Sequence, residues 1–237
     1  MSNVLEVCSI SKFYRSHWTY KKKASLVDIS FSISKGESLA LLGVNGAGKT
    51  TTIKCILDLV KPSSGSIKYD KKSTVYLPEQ PYFYQYLSVR ETLKFYGKLL
   101  NIESAQLDKK IDFCLSELGL TNRSKDKVKN LSKGLQQRLG IAQLLLGEPE
   151  LIILDEPFSG LDPLARIEIR EILKKIKAKG ISILLCTHIL SDIHELADRA
   201  IIIVNGVVKK DIILSSENTD IEKIFSEVNS SKSEDTI

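Results

Sequence analysis

Short apolar runs punctuate the chain at 39–42, 151–154, 181–186 and 201–204, and each suits a buried strand. Residues 4–10 and 27–33 alternate apolar and polar positions, which predicts half-exposed strands. The polar, aromatic and basic stretch 15–24 between them predicts a loop or hairpin. Ser34–Lys35–Gly36 predicts a turn into the strand 38–42, and a helix is expected over Thr50–Leu59. Pro62–Gly65 predicts another turn, followed by strands at 66–69 and 74–77. From Val89 to Gly140 helix formers dominate, with breaks near Asn101, 119–124 and 129–130. Ser88 with Glu91 three residues on has the form of a capping box, for a helix reaching about Leu100. Leu107, Ile111, Leu115 and Leu118 form an amphipathic stripe. Helices are expected at 165–179 and 190–198, between the late strands. The tail 215–237 is polar, with a short helix expected at 221–228. Strand and helix alternating in this way predict an α/β fold with a parallel sheet. No internal repeat is visible.

Composition narrows the class without naming a function. The chain has 237 residues, 43% hydrophobic and 27% charged, with 34 basic and 29 acidic residues, so 34 − 29 = +5. That excludes a mostly disordered chain and a small disulfide scaffold, and leaves one sizeable core with room for a satellite subdomain. The mild positive charge permits a phosphate ligand or an acidic membrane surface and does not by itself indicate nucleic acid. No run approaches the roughly 18 apolar residues of a membrane helix. The N-terminal segment lacks the basic and apolar blocks of a leader, so no secretory signal is expected. Cys8, Cys55, Cys114 and Cys186 are scattered without a CxxC pair and are expected as reduced thiols, packed as small apolar residues. No zinc site is expected, since His17, His188 and His194 have no cysteine in ligand spacing.

Chemistry enters at Gly43-Val44-Asn45-Gly46-Ala47-Gly48-Lys49-Thr50, which fits GxxxxGK[ST] between an apolar strand and a helix. Glycines let consecutive N–H groups turn towards phosphate oxygens, and the helix start adds its positive end. Lys49 reaches the β and γ phosphates and the Thr50 hydroxyl ligates Mg²⁺ in such a cradle. Farther on, the apolar strand 151–154 ends in Asp155 and Glu156. In that setting Asp155 is the metal carboxylate, and Glu156 orients or deprotonates the attacking water.

Other residues carry a more specific resemblance. Leu131-Ser132-Lys133-Gly134-Leu135-Gln136-Gln137-Arg138 resembles the signature of ATP-binding cassette (ABC) ATPases. Gln80 in Pro-Glu-Gln resembles that family's Q-loop, and Ser159-Gly160-Leu161-Asp162 its D-loop. His188 in Cys-Thr-His sits where the family has its switch histidine, and Tyr14 resembles the aromatic that stacks on adenine. The motifs follow the family's order from residue 14 to about 210. The resemblance implies a P-loop nucleotide hydrolase of ABC type, with an N-terminal antiparallel β subdomain and an inserted helical subdomain. It implies one ABC ATPase domain: a core of 1–87 and 141–214, a helical signature subdomain of 88–140 and a tail of 215–237. It also implies ATP and Mg²⁺ as ligands, and a head-to-tail pair of identical chains enclosing two nucleotides. Lys49, Thr50, Gln80, Asp155, Glu156 and His188 would then face the chain's own nucleotide, with Gly43, Asn45, Gly46, Gly48 and Thr51 completing the cradle. Ser132 and Gly134 would meet the γ-phosphate held by the second copy, and Asp162 would carry communication across the pair. Ser132 is also a good N-cap, so a helix beginning there can aim N–H groups at an anion.

The departures refine the picture. Lys133 stands where the commonest signature has glycine, and Leu135 where it has glutamine. That form is similar to cassettes of exporters with separate membrane subunits, such as drug, antibiotic-resistance or sodium exporters. Trp18 and Tyr20 lie in extra residues before Leu26 and compete with Tyr14 as the adenine-stacking ring. The neighbouring Lys21-Lys22-Lys23 reads as a solvated hairpin, and His17 and His194 read as surface residues. Tyr82, Phe83, Tyr84, Tyr86 and Leu87 form a dense patch that is either core or a seat for a membrane partner. The expected protein is the ATPase subunit of an exporter, peripheral on the cytoplasmic face of the cell membrane, with permease subunits on separate polypeptides. An importer subunit or a non-transport regulatory ATPase is the alternative. Long coiled coils, expected of chromosome-maintenance ATPases, are not visible.

Overall fold

The computed structural model describes residues 2–15, 22–214 and 220–230. In chain order the strands are β1 (Asn3–Arg15), β2 (Lys22–Ser34), β3 (Ser38–Leu42), β4 (Ser64–Tyr69), β5 (Thr74–Leu77), β6 (Leu151–Asp155), β7 (Ser182–Thr187), β8 (Arg199–Val204) and β9 (Val207–Ile213). The α-helices are α1 (Lys49–Ile56), α2 (Val89–Leu99), α3 (Ser104–Glu117), α4 (Lys133–Leu145), α5 (Pro163–Ala178) and α6 (Ile221–Ser230). Two compact units emerge, one formed by Met1–Asp70 with Ser182–Ile237 and the other by Lys71–Ile181. The fold is mixed α/β, as the alternation predicts.

The first unit contains an antiparallel sheet in the order β2-β1-β4. Leu5, Val7 and Ile10 on β1 and Leu26, Ile29, Phe31 and Ile33 on β2 are buried. The extra residue in each series is a bulge: the β1–β2 register shifts between Val7 and Ile10, and Ser9 and Asp28 have φ of 50° and 51°. Alternation after the buried Leu5 and Val7 points Cys8 outward, where it is exposed, which corrects the expectation that every cysteine packs inside; Cys55, Cys114 and Cys186 are buried, and all four thiols are free. Beside this sheet in the same unit, β3 pairs in parallel with β7 and with β8. Every residue of β3 is buried, as the apolar run requires.

β8 returns as the antiparallel β9, with Val204 facing Val207. Asn205 and Gly206 turn the corner at φ of 51° and 77°, the left-handed pair that two-residue hairpins need. The helix expected at 190–198 is absent. Only a 3-10 turn at Leu190–Asp192 forms. The Asp198 N–H donates to the Ser38 carbonyl at 2.8 Å, and its carboxylate accepts from the Ser38 N–H at 2.9 Å. These tertiary bonds replace helical ones, while Ile193, Leu196 and Ala197 still reach the core. α1 ends earlier than expected, with Leu57 as its C-cap and Asp58 at φ 56°. α6 packs Phe225 and Val228 against the cluster of Ile193, Ile202 and Val204.

In the second unit β5 and β6 run parallel, from Thr74 opposite Leu151 to Leu77 opposite Leu154. Leu107, Ile111, Leu115 and Leu118 are all buried, which confirms the stripe. Gly140 on α4 admits Leu77 of β5, whose Cδ1 would lie 2.6 Å from a Cβ at Gly140. α2 opens with the expected capping box: the Ser88 hydroxyl accepts from the Glu91 N–H at 3.2 Å, and the Glu91 carboxylate accepts from the Ser88 N–H at 2.6 Å. That backbone bond, then the Ser88 hydroxyl and Lys127, hold the Glu91 pKa down at about 2. Among the described residues no helix is long and apolar enough to cross a membrane.

Replacing Ser88 by Ala is expected to cost about 1 kcal/mol in urea unfolding. Because the Glu91 pKa is depressed, its contribution is complete above the ordinary carboxylate range and is lost as pH falls towards about 2. The gap in unfolding midpoint between the unmodified chain and Glu91→Gln should therefore close between pH 5 and pH 2, as followed by circular dichroism.

Candidate functional site

In the first unit β3 delivers the chain into the glycine-rich loop. A Cβ at Gly43 would lie 2.6 Å from the Ile203 carbonyl oxygen and 2.8 Å from the Ala47 Cβ, so only glycine fits. Gly48 has φ +117° and a Cβ there would lie 2.9 Å from Leu26. It is the N-cap of α1, and Thr52 bonds back to its carbonyl at 2.9 Å through N–H. Lys49, the first residue of α1, is buried with 6% exposure. Its ammonium donates to the Gly43 carbonyl at 2.6 Å, and the Val44 carbonyl lies 3.5 Å away. Asn45, Gly46 and the Thr50 side chain face solvent. Thr51 accepts a bond from the Ser25 hydroxyl at 3.0 Å. The arrangement supplies a buried cation, an exposed hydroxyl and a helix N-terminus in one loop, a set suited to phosphate and a hard cation.

Tyr14 and Gly46 line a cavity of about 460 Å³ together with Lys23, Ala24, Ser25 and Asn205. The Lys12 ammonium stands 5.2 Å from the centre of the Tyr14 ring. Trp18 and Tyr20, the competing rings, lie outside the described residues, as do His17 and Lys21. Ser25 and Asn205 carry no signal of this role in the sequence, and Lys23, expected in a solvated hairpin, lines the cavity with them. Asn205-Gly206 could have been found, because Asn-Gly between apolar runs is a strong hairpin signal. That hairpin braces the glycine loop: the Gly206 N–H donates to the Ala47 carbonyl at 2.8 Å. His188 follows β7 and is exposed, and His194 is exposed as expected.

In the second unit β6 ends at Asp155, buried with 6% exposure. The Tyr76 hydroxyl lies 3.5 Å from its Oδ2. Glu156 follows at φ 48°, an uncommon conformation for a side chain of this size. The turn then closes through a bond from the Ser159 N–H to the Glu156 carbonyl at 3.0 Å. Gln80 is exposed in the loop after β5.

Ser132 caps α4 by accepting from the Leu135 N–H at 3.3 Å. Asp162 caps α5 by accepting from the Ala165 N–H at 2.9 Å. Both capping residues line a cavity of about 130 Å³, shared with Gly134, Arg138, Ala165 and Glu168. A Cβ at Gly134 would stand 3.0 Å from the Ala165 Cβ, so the glycine lets α4 approach α5. The N-termini of α4 and α5 thus open on one cavity, whose wall also carries the carboxylates of Asp162 and Glu168. Arg138, on its wall, is ion-paired with Glu168. Among the described residues no cluster of three or more His, Cys, Asp or Glu could hold a metal ion.

The family profile described as ABC transporter matches residues 26–159. An ABC transporter ATP-binding protein of Synechocystis sp. is 38% identical over 217 residues, covering 86% of this chain and 61% of the relative. The linearmycin resistance ATP-binding protein LnrL of Bacillus subtilis is 37% identical over 198 residues, covering 79% of this chain and 64% of LnrL. The chain thus spans less than two thirds of the length of either relative. A solved structure described as the ATP-binding subunit of an ABC transporter superposes with a TM-score of 0.82 at 33% identity, covering 95% of this chain and 99% of that one.

The glycines of the loop differ in what a methyl group meets. A Cβ at Gly43 collides with backbone, whereas a Cβ at Gly46 has nothing within 4 Å and only its φ of +82° to overcome. Gly46→Ala is expected to lower unfolding stability by about 1 kcal/mol and Gly43→Ala by roughly 3 kcal/mol, as measured by urea denaturation. A smaller cost at Gly43 than at Gly46 would contradict the packing assigned to the loop.

Proposed function

The chain belongs to the ABC transporter family of ATP-binding proteins, and from that membership we propose that it binds and hydrolyses ATP to power an exporter whose membrane-spanning subunits are separate. The observation that carries this reading is Lys49, a buried ammonium at the head of α1 on the carbonyls of a glycine loop. A buried cation at a helix start in a glycine loop, with the exposed Thr50 hydroxyl beside it, suits the holding of phosphate and its metal. Gly43, Asn45, Gly46, Gly48 and Thr51 shape the cradle, and Tyr14 offers an aromatic face to the base. Thr50, Asp155 and Gln80 would hold Mg²⁺, which when bound supplies charge neutralisation at the phosphates. Glu156 accepts the proton of the attacking water, and His188 orients the water and the terminal phosphate.

Two copies of the chain complete the machine. Ser132 and Gly134, at the positive end of α4, meet the γ-phosphate held by the second copy, and Asp162 senses the closure. The N-termini of α4 and α5 on one cavity support this use. Residues 88–140, which hold α2, α3 and the first turns of α4, serve as the helical lobe, and residues 1–87 and 141–214 as the core. The patch beside Gln80 divides in a way that favours a partner: Phe83 is buried while Tyr82, Tyr84 and Tyr86 are exposed. A segment of the membrane subunits docks there, which places the chain as a peripheral protein on the cytoplasmic face. Export is favoured by the antibiotic-resistance relative.

Glu156→Gln is the decisive variant. It should bind ATP with unchanged affinity, lose roughly 100-fold or more in turnover, and accumulate as an ATP-dependent dimer in size-exclusion chromatography. Turnover equal to that of the unmodified chain would remove Glu156 from the base role.

A further inference from the structure

The loop that carries Gln80 and the turn that carries Glu156 are joined by one side-chain bond inside the second unit. The Ser159 hydroxyl donates to Glu79 Oε1 at 2.8 Å. The Ser159 N–H donates to the Glu156 carbonyl at 3.0 Å. Glu79 precedes Gln80, and Ser159 closes the turn that begins at Glu156. From the geometry we infer that Glu79 is a positioning residue, which through Ser159 holds the Gln80 loop in register with the Glu156 backbone.

Three observations give the bond its weight. Glu156 and Gly160 both have positive φ, 48° and 64°, so the turn adopts a conformation that persists only where its surroundings fix it. Phe158, with 1% exposure, anchors the middle of the turn in the core. The ammonium end of Lys133, the first residue of α4, lies over Gly160. The Ser159–Glu79 bond links this turn to the residue next to Gln80. A shift of about 1 Å in a group that prepares water is enough to cost turnover without costing binding.

The inference rests on the ATPase reading of Gln80 and Glu156, and the experiment separates the two. Steady-state Mg²⁺-ATP hydrolysis and urea unfolding are measured on the full chain and on Glu79→Ala, Ser159→Ala, the double variant and Glu79→Gln. Each single alanine variant should lower kcat roughly tenfold while KM for ATP stays within about twofold. The double variant should be no slower than either single one, since both cut the same link. Glu79→Gln should recover most of the rate, because its amide oxygen still accepts from Ser159. Unfolding midpoints should stay unchanged. Wild-type kcat in Glu79→Ala, additive losses in the double variant, or losses that track unfolding would each overturn the inference alone. Absence of hydrolysis by the unmodified chain would overturn the ATPase reading and the inference with it.

Discussion

The candidate site of the first unit depends on a lack of space at Gly43. β3 and β8 lie side by side up to Leu42 and Ile202, and one residue later the chain passes 2.6 Å from the Ile203 carbonyl, measured from where a Cβ would be. Only a residue without a side chain leaves β3 there. The turn that follows exposes carbonyl oxygens on its inner side, and the Lys49 ammonium occupies them. A lysine with 6% exposure needs such partners, because an unpaired buried charge costs far more than the hydrogen bonds return. The loop, the buried cation and the start of α1 are thus one arrangement.

The second unit solves a different problem. β6 is buried throughout and ends on the carboxylate of Asp155, and the chain turns at the next residue, Glu156, whose Oε2 is also buried. Glu156 does this with a left-handed backbone, and Phe158 pins the turn. Asp162 then spends its carboxylate on the Ala165 N–H, which starts α5 with Pro163 already set for helix. The start of α5 in turn fixes α4, since Ala165 faces Gly134.

Much of this was legible in the sequence because it is local. The glycine loop, the capping box at Ser88 and Glu91, and the stripe from Leu107 to Leu118 each state their geometry in a few neighbouring residues. What stayed hidden depends on residues far apart in the chain. The stretch 190–198 has helical spacing, yet only a 3-10 turn forms at its start, and its last residue, Asp198, bonds to Ser38 across 160 positions. The bulge at Ser9, which carries the buried face of β1 from Val7 to Ile10, is set by the pairing of β1 with β2 and β4. Ser25 joins the loop through Thr51 across a gap of 26 residues in sequence, and Ser159 meets Glu79 across 80. No window of the sequence holds both members of either pair.

The same distinction separates folding from function among the glycines. Gly43, Gly48 and Gly206 all have neighbours that a Cβ would strike, and Gly48 and Gly206 also have positive φ, so local geometry explains them. Gly134 is explained in part by Ala165. Gly46 is different: nothing lies within 4 Å of its missing Cβ, and it faces a cavity beside Tyr14. Its φ of +82° suits glycine, but an asparagine or aspartate would tolerate that conformation at small cost. The space kept clear at Gly46 therefore serves no contact within the unit. The positive φ of Gly46 is what asks for glycine, and the bare backbone that results lines the cavity in the same loop as the buried Lys49 ammonium.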